Sequence, residues 1–170
     1  MKAHLVSAVL LASSALLLAS SLVAPVFAAP GPQQTVEQNK AVARKLFEVA
    51  LNHQDWEVYN QLHGKDFVAH QEKYRGDLAA DLQSAKNWRV SFPDLKYSVD
   101  RVIAEGDFVV VQYTFRGTNT GPWRGFPATG KPVERSGIII FQVFEGKIVA
   151  EWLAYDGLTL YRQLGLTPPK

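Results

Sequence analysis

The chain has 170 residues, of which 18 are Lys or Arg and 16 are Asp or Glu, and it has no cysteine. The formal net charge of +2 gives no electrostatic case for binding nucleic acid or an acidic membrane surface. The lack of cysteine excludes disulfides, thiolate catalysis and Cys-ligated metals. The part of the chain that follows the predicted N-terminal export segment, which is described next, has the length of one domain.

The segment 1–28 has the features of a cleavable signal peptide. Lys2 supplies a positive start, and an uncharged run rich in Leu, Ala, Val and Ser follows from Leu5 to Leu22. Val26-Phe27-Ala28 then has the small-residue pattern of a signal peptidase site, so we expect cleavage after Ala28. A secreted or periplasmic protein without stable membrane association is predicted, and an uncleaved anchor is the alternative.

Helices are predicted in the first half of the mature chain. Residues 29–34 form a leader rich in Pro and Gln, expected to be poorly ordered, and one domain is predicted over 35–167. The capping box Thr35-Val-Glu-Gln38 and the helical periodicity after it predict a first helix to about Asn52. Two further helices with aspartate N-caps are predicted over 56–62 and 78–92.

The second half predicts strands joined by hairpins. Gly106 and Gly146 each separate two strand-forming runs, and glycine reaches the positive φ of a tight turn at low cost. Helices followed by antiparallel hairpins are the order of an α+β fold. The predicted strands cover 95–105, 107–117, 132–144 and 147–156, with a Gly- and Pro-rich connection over 117–131 and a last helix over 158–164.

The last hairpin carries the main functional clue. With a two-residue turn at Glu145-Gly146, Ile139 is predicted to face Trp152. The apolar face that carries them ends at Asp156. An acid that closes an apolar row is a candidate general base or acid with a raised pKa. The alternative role of Asp156 is N-cap of the last helix.

The histidines and the remaining charges give weaker signals. His70 ends an extended segment and is predicted to orient a substrate carbonyl or relay a proton, with a structural or surface histidine as the alternative. His53 and His63 are predicted to be solvated, and Arg135 and Glu151 to be surface charges. No two histidines have the spacing of metal ligands on one element, so no metal site is predicted.

Aromatic side chains are candidates for the wall of a pocket. Trp88 and Tyr113 are predicted to shape it, whereas Phe141 and Trp152 could line the pocket or belong to the core. Trp123 lies in the Gly- and Pro-rich connection and is predicted to form a lid or part of an apolar dimer patch. A homodimer is predicted from the outward-facing row of the last hairpin, which is Ile138, Ile140 and Leu153.

Several signatures occur in order along nearly the whole mature chain. They are Phe67-Val-Ala-His70, Phe92-Pro-Asp-Leu95, Gly117-Thr-Asn-Thr-Gly121, Gly125-Phe-Pro-Ala-Thr-Gly130, Gly146-Lys-Ile-Val-Ala-Glu-Trp152 with Asp156, and Gln163-Leu-Gly165. Together they resemble the SnoaL-like polyketide cyclase family, also called ester cyclases. The resemblance implies the α+β cone of nuclear transport factor and the cystatin-like folds, in which N-terminal helices pack in a strongly curved antiparallel sheet, and it implies no cofactor.

The resemblance also implies site residues. In polyketide cyclases of that family an aspartate matching Asp156 is the acid/base of an intramolecular aldol ring closure, and a pocket histidine assists it, which makes His70 the expected helper. The resemblance implies a form with histidine that is common among relatives at the position of Asn119, and this chain has asparagine there. The C-terminal hairpin also has no histidine, and Gln142 stands in it instead.

The sequence leaves three functions open. The leading hypothesis is an exported domain with a pocket for a small apolar or aromatic organic molecule and cofactor-free acid/base chemistry, of a cyclase, isomerase or hydratase-type lyase. The second is a non-catalytic periplasmic ligand-binding protein on the same scaffold. The third is a dimerising interaction module.

Overall fold

The computed structural model describes residues 35–71 and 74–168. The predicted signal peptide over 1–28 and the predicted leader over 29–34 lie outside the described residues. Within the described part of the chain, no helix combines the length and the apolar character needed to cross a bilayer.

Helices come first along the chain, as predicted. α1 spans Val36–Lys45 and begins at the predicted capping box, in which both reciprocal hydrogen bonds are formed. The helix then continues as a π-helix over Leu46–Leu51, where the periodicity predicts one unbroken α-helix. The next two helices, α2 (Trp56–Leu62) and α3 (Leu78–Ser91), start at the predicted N-caps Asp55 and Asp77.

Six strands form one sheet in the order β2-β1-β6-β5-β4-β3. Neighbouring strands are antiparallel except for β1 and β6, which are parallel, so the sheet is mixed. The sequence predicts an antiparallel sheet and does not anticipate this parallel pair. The predicted α+β class is confirmed. The strands are β1 (His63–Gln71), β2 (Tyr74–Gly76), β3 (Lys96–Glu105), β4 (Phe108–Thr118), β5 (Pro132–Phe144) and β6 (Lys147–Tyr155), and α4 (Gly157–Leu164) follows them.

A β-bulge changes the register of the last hairpin. The predicted pairing of Phe144 with Lys147 is confirmed. β6 then has one extra residue, Val149, because Val143 pairs with Ile148 and Gln142 pairs with Ala150. A shift of one residue exchanges the two faces of a strand. Phe141 therefore pairs with Glu151 rather than with Ala150. Beyond the bulge the inner face of β6 carries Glu151, Leu153 and Tyr155, and the outer face carries Trp152 and Ala154.

The connection between β4 and β5 is fixed by Asn119, which is fully buried. Its Nδ2 donates hydrogen bonds to the carbonyl oxygens of Ser91 and Gly121 at 3.2 and 2.8 Å. Its Oδ1 accepts hydrogen bonds from the backbone N–H and the hydroxyl of Thr129 at 2.9 and 3.0 Å. Asn119 is therefore a structural anchor of this loop.

Candidate active site

A cavity of about 100 Å³ lies between the helices and the inner face of the sheet. It is about two-thirds of the roughly 150 Å³ that accommodates benzene in an engineered protein cavity, so it has room for a molecule of only a few heavy atoms. Its polar lining is Tyr59, Asp81, Ser84, Arg135 and Glu151. Its aromatic lining is Phe47, Trp88, Tyr97, Tyr113 and Phe141.

Two carboxyl groups meet in this cavity. Glu151 reaches it from the bulged strand β6 and is only 6% exposed, and Asp81 reaches it from the first turn of α3. Burial, followed by the charge and then the hydrogen bonding of the neighbouring Asp81, raises the pKa of Glu151 well above its usual value of 4.5. Glu151 therefore keeps its proton to a higher pH than an exposed glutamic acid does.

Tyr59 completes the acidic end of the cavity. Its hydroxyl donates a hydrogen bond to Asp81 Oδ2 from the facing helix α2. Burial, and then the neighbouring Asp81 charge, raises the pKa of Tyr59 far above its usual 10, so the phenol stays protonated as a donor. Asp81 is thereby held by two partners and aimed at the cavity.

Arg135 brings a positive charge to the same cavity from β5. It is 6% exposed, and aromatic rings surround its guanidinium. The guanidinium carbon lies 3.9 Å from the ring centroid of Tyr155, 5.0 Å from that of Phe115 and 5.2 Å from that of Trp88. These distances are those of cation–π contacts, which stabilise the charge without satisfying its N–H groups.

The π-helix forms one wall of the cavity through Leu46, Phe47 and Leu51. π-helical turns are rare and occur frequently at functional sites. The ring of Phe47 packs against Tyr113 with 5.1 Å between centroids and against Phe141 with 6.3 Å. The local widening of the helix thus places an aromatic ring against the inner strands.

Three of the predicted pocket residues line the cavity. Trp88 reaches it from the C-terminal half of α3, Tyr113 from β4 and Phe141 from β5. Their contact with a ligand stays a prediction. Burial raises the pKa of Tyr113, while the neighbouring Arg135 charge acts in the opposite direction.

Asp156 does not lie where the sequence predicts. It is exposed, and its Oδ1 accepts a hydrogen bond from the Thr159 N–H at 2.9 Å as the N-cap of α4. Hydrogen bonds from Thr159 lower the pKa of Asp156, which is the opposite of the raised value expected for a buried acid. The predicted inward position is wrong because the bulge at Val149 turns that row outward. The alternative role as an N-cap is the one observed.

His70 and Trp152 also lie outside the cavity, on the outer face of the sheet. They pair across β1 and β6, and their rings stack with 4.7 Å between centroids at 8°. The predicted inward position of Trp152 is wrong for the same reason as that of Asp156. Gln142 pairs with Phe108 on this outer face, so neither His70 nor Gln142 reaches the acidic end of the cavity.

Trp123 belongs to the core rather than to a lid. It is 5% exposed and packs against Tyr161 of α4, with 4.8 Å between ring centroids. Its own loop folds back on it through a backbone bridge to Phe126. The predicted alternatives, a lid or an exposed dimer patch, are therefore both wrong for Trp123.

Arg135 and Glu151 are both buried, although the sequence predicts surface charges at both positions. They are the two most informative residues of the cavity. His63, predicted to be solvated, is also buried, and its Nδ1 lies 2.7 Å from the Tyr59 carbonyl oxygen. One signal was available for Glu151, which stands between apolar residues in a strand that otherwise reads as buried. Among the described residues, no three potential metal ligands are grouped together.

Comparison with known proteins identifies the family. The model of the SnoaL-like polyketide cyclases matches residues 40–164. The chain belongs to the SnoaL-like polyketide cyclase family. No curated protein matches it. Membership in this family favours a cofactor-free role of the cyclase or isomerase type.

Solved structures of the SnoaL-like type share the fold. AclR of Streptomyces galilaeus, a suggested hydroxylase, is 25% identical with a TM-score of 0.73, over 79% of this chain and 100% of AclR. IdmH of Streptomyces antibioticus, a suggested polyketide cyclase, is 28% identical with a TM-score of 0.68, over 76% and 99% of the two chains. A suggested SnoaL-like cyclase of a Jannaschia species, 22% identical over 82% and 99%, has a TM-score of 0.72 and shows the fold alone.

Proposed function

We propose that this SnoaL-like protein is a cofactor-free acid–base catalyst that moves a proton at a carbon next to a carbonyl group. The observation that carries the proposal is the buried Glu151 beside the half-buried Asp81 in the cavity wall. Burial keeps the proton on Glu151 to a higher pH than on a free glutamic acid, which makes Glu151 a proton donor, and the neighbouring carboxyl group of Asp81 is the candidate acceptor. Cyclisation and isomerisation both need this combination.

The proposed step is balanced within the pair. Asp81 takes the proton from the carbon next to the carbonyl, and the electron pair of that C–H bond moves to form the enol double bond. Glu151 gives its proton to the carbonyl oxygen as negative charge develops there. In isomerisation the enol is conjugated with a further double bond, and its far carbon takes the proton from Asp81. In ring closure the enol carbon attacks a second carbonyl carbon, whose oxygen takes the proton from Asp81. In both cases the enol oxygen returns its proton to Glu151 as the first carbonyl group forms again.

The surroundings support this assignment of roles. The hydrogen bond from Tyr59 orients the Asp81 carboxylate, and a fixed orientation lowers the cost of reaching the reactive geometry. The aromatic rings of Phe47, Trp88 and Phe141 give the cavity apolar walls beside the two carboxyl groups. The small volume of the cavity favours a small carbonyl compound over a polycyclic one, although the two relatives from Streptomyces carry different suggested activities.

The test is proton–deuterium exchange at the carbon next to the carbonyl, followed by proton NMR in D₂O with pyruvate and 2-butanone as probes. We expect the wild-type protein to accelerate exchange of at least one probe. The changes Glu151→Gln and Asp81→Asn should each lower that acceleration by about 10²- to 10⁴-fold, the usual contribution of general acid–base catalysis.

Asp156→Asn distinguishes the two candidate acids. Asp156 is exposed and caps α4, so we expect this variant to keep its exchange rate and to lose stability by at most about 1 kcal/mol through a weaker cap. A variant that folds normally but loses exchange would return the catalytic role to Asp156. Unchanged exchange in Glu151→Gln would contradict the proposal directly.

A second candidate function is ligand binding without turnover. The buried guanidinium of Arg135 favours it, because a fixed cation supplies affinity without any chemistry. A probe that shifts cavity resonances in the NMR spectrum but shows no catalysed exchange would select this function.

We also propose that the protein is exported and forms a homodimer. The apolar run over 5–22 with Val26-Phe27-Ala28 supports export. The outer face of the sheet supports a second copy as its cover, because it exposes Ile138, Ile140 and Phe108. Leu153, the third residue of the predicted outer row, faces the cavity instead, and Trp152 takes its place outside.

Native mass spectrometry of the protein expressed from its full sequence tests both proposals at once. The expected species is twice the mass of a chain that begins at Ala29. A monomer mass would contradict the dimer, and a chain that retains Met1 or Lys2 would contradict cleavage. The change Ile140→Lys on the outer face should shift the dimer to monomer, whereas Lys96→Glu, on the exposed edge strand β3, should not.

A further inference from the structure

We propose that Arg135 binds the carboxylate of the molecule that enters the cavity, and hence that the natural ligand is a small organic acid. This inference rests on the proposed function in that it concerns the same cavity, and it adds the chemical class of the ligand. The Arg135 guanidinium is buried and has nitrogens without hydrogen-bond partners.

Arg135 is a buried cation, and two of its three nitrogens lack hydrogen-bond acceptors. Its Nε and Nη1 are buried and have no hydrogen-bond partner, and no carboxylate of the described residues lies within ion-pair distance of it. Burying a charge without partners costs several kcal/mol, and natural proteins seldom keep such a group without a use. An anionic ligand group in the cavity would supply the missing acceptors.

A second arginine shows what a purely structural guanidinium looks like in this fold. Arg89 is 8% exposed, close to the value for Arg135. Its Nη1 donates to the carbonyl oxygen of Leu95 and its Nη2 to that of Leu51, so its charge is tied to the backbone on two sides. Arg135 has rings above its guanidinium and no such ties, which leaves its N–H groups for a ligand.

The cation and the buried acid reach the cavity from different parts of the sheet. Glu151 pairs with Phe141 near the end of β5, whereas Arg135 lies near the start of that strand, which spans Pro132–Phe144. Burial raises the pKa values of Tyr97 and Tyr113, and the charge of Arg135 opposes the rise in both. A small acid with a carbonyl near its carboxylate would place its anionic end on Arg135 and its carbonyl toward Glu151.

A planar carboxylate is the anion that suits this site. Guanidinium and carboxylate are both flat, and two parallel N–H···O bonds join them with directional specificity. The rings of Tyr155 and Trp88 lie with their centroids 3.9 and 5.2 Å from the guanidinium carbon, and neither ring supplies the pair of oxygen acceptors that a carboxylate offers. The cavity of about 100 Å³ limits the acid to a few heavy atoms.

The experiment compares propanoate with propanamide, which have the same shape and number of heavy atoms but differ in charge. NMR titration of the wild-type protein near neutral pH should give at least tenfold tighter binding of propanoate. The change Arg135→Met should abolish this preference. The matched control is Arg116→Met, because Arg116 is exposed on β4 and pairs with Glu134 at 2.8 Å; it should keep the preference.

A measurement on the wild-type protein alone guards against a variant that does not fold. The Nε–H resonance of Arg135 should shift on addition of propanoate and stay in place with propanamide. Arg135→Met should melt no lower than the wild type without ligand, because it removes an uncompensated buried charge, and propanoate should raise the Tm of the wild type only. Equal affinities for the two probes, or a preference that survives Arg135→Met, would overturn the inference.

These readouts separate this inference from the catalytic proposal. Charge-dependent binding without catalysed exchange would leave Arg135 as an acid receptor in a binding protein. Exchange that depends on Glu151 but takes place equally with 2-butanone and pyruvate, and without a role for Arg135, would retain the catalytic pair and reject the organic-acid ligand.

Discussion

Replacing Glu151 with Gln is expected to flatten a fall in stability that the wild-type protein shows as the pH rises. Burial and the neighbouring Asp81 raise the pKa of Glu151 well above its usual 4.5, so the folded state keeps a proton that the unfolded chain has released. Its contribution to stability is fully present below about pH 4.5 and is lost as the pH rises through the raised pKa. Over that window the free energy of unfolding falls by about 1.4 kcal/mol per pH unit.

His63 contributes a change of the opposite sign. Burial lowers its pKa below the usual 6.5, so the unfolded chain binds a proton below pH 6.5 that the folded state does not accept. The contribution of His63 to the free energy of unfolding is therefore lost as the pH falls. Below about pH 6.5 the two effects oppose each other, so the slope of the wild-type curve there reflects both groups.

Urea unfolding at a series of pH values measures this effect. The difference in unfolding free energy between the wild type and Glu151→Gln isolates the contribution of Glu151, because His63 is common to both proteins. The control Glu105→Gln removes an exposed carboxyl group from β3 and should leave the pH dependence unchanged. If the curves for the wild type and Glu151→Gln stay parallel, Glu151 does not hold a proton in the folded state and cannot be the proposed acid.

Replacing Asn119 with Ala is expected to lower the free energy of unfolding by about 3 kcal/mol or more. The change leaves the carbonyl oxygen of Gly121 and the N–H of Thr129 without their partner, and each such group costs about 1–3 kcal/mol. The carbonyl oxygen of Ser91 also loses one of its two hydrogen bonds and keeps the one from the Gly121 N–H. Part of the loop has no space in which to adjust, because a Cβ at Gly121 would lie 2.0 Å from the Val90 carbonyl oxygen.

Chemical denaturation provides the measurement, with Asn60→Ala as the matched control. Asn60 is exposed on α2 and makes no side-chain hydrogen bond to the described residues, so its replacement should change stability by no more than about 0.5 kcal/mol. A loss below about 1 kcal/mol in Asn119→Ala would show that the loop does not depend on this anchor.

Secondary structure was largely predictable from this sequence. The capping box at Thr35, the aspartate caps of α2 and α3, and the turns at Gly106 and Gly146 are local signals, and local hydrogen bonds and backbone angles decide them. The α+β class followed from the order of these elements. The parallel pairing of β1 with β6 left no such local signal, because it joins segments that are distant in the chain.

The candidate site was less predictable, because it depends on which side of a strand each residue faces. Strict alternation placed Trp152 inside and made Asp156 the end of the inner row. The bulge at Val149 reverses both, and nothing in its immediate sequence marks it. The burial of Arg135 was not predictable for a different reason. It depends on the rings of Trp88 and Phe115, which come from other elements.

The extra residue at Val149 also has a consequence for how this family can change over time. A single insertion or deletion in β6 would exchange Glu151 for Trp152 in the cavity, without altering either residue. Reactive groups can thus be replaced by a change of length as readily as by substitution. Residues that share an alignment column in two relatives can consequently lie on opposite faces of the sheet, so homologous position is a poor guide to shared chemistry along this strand.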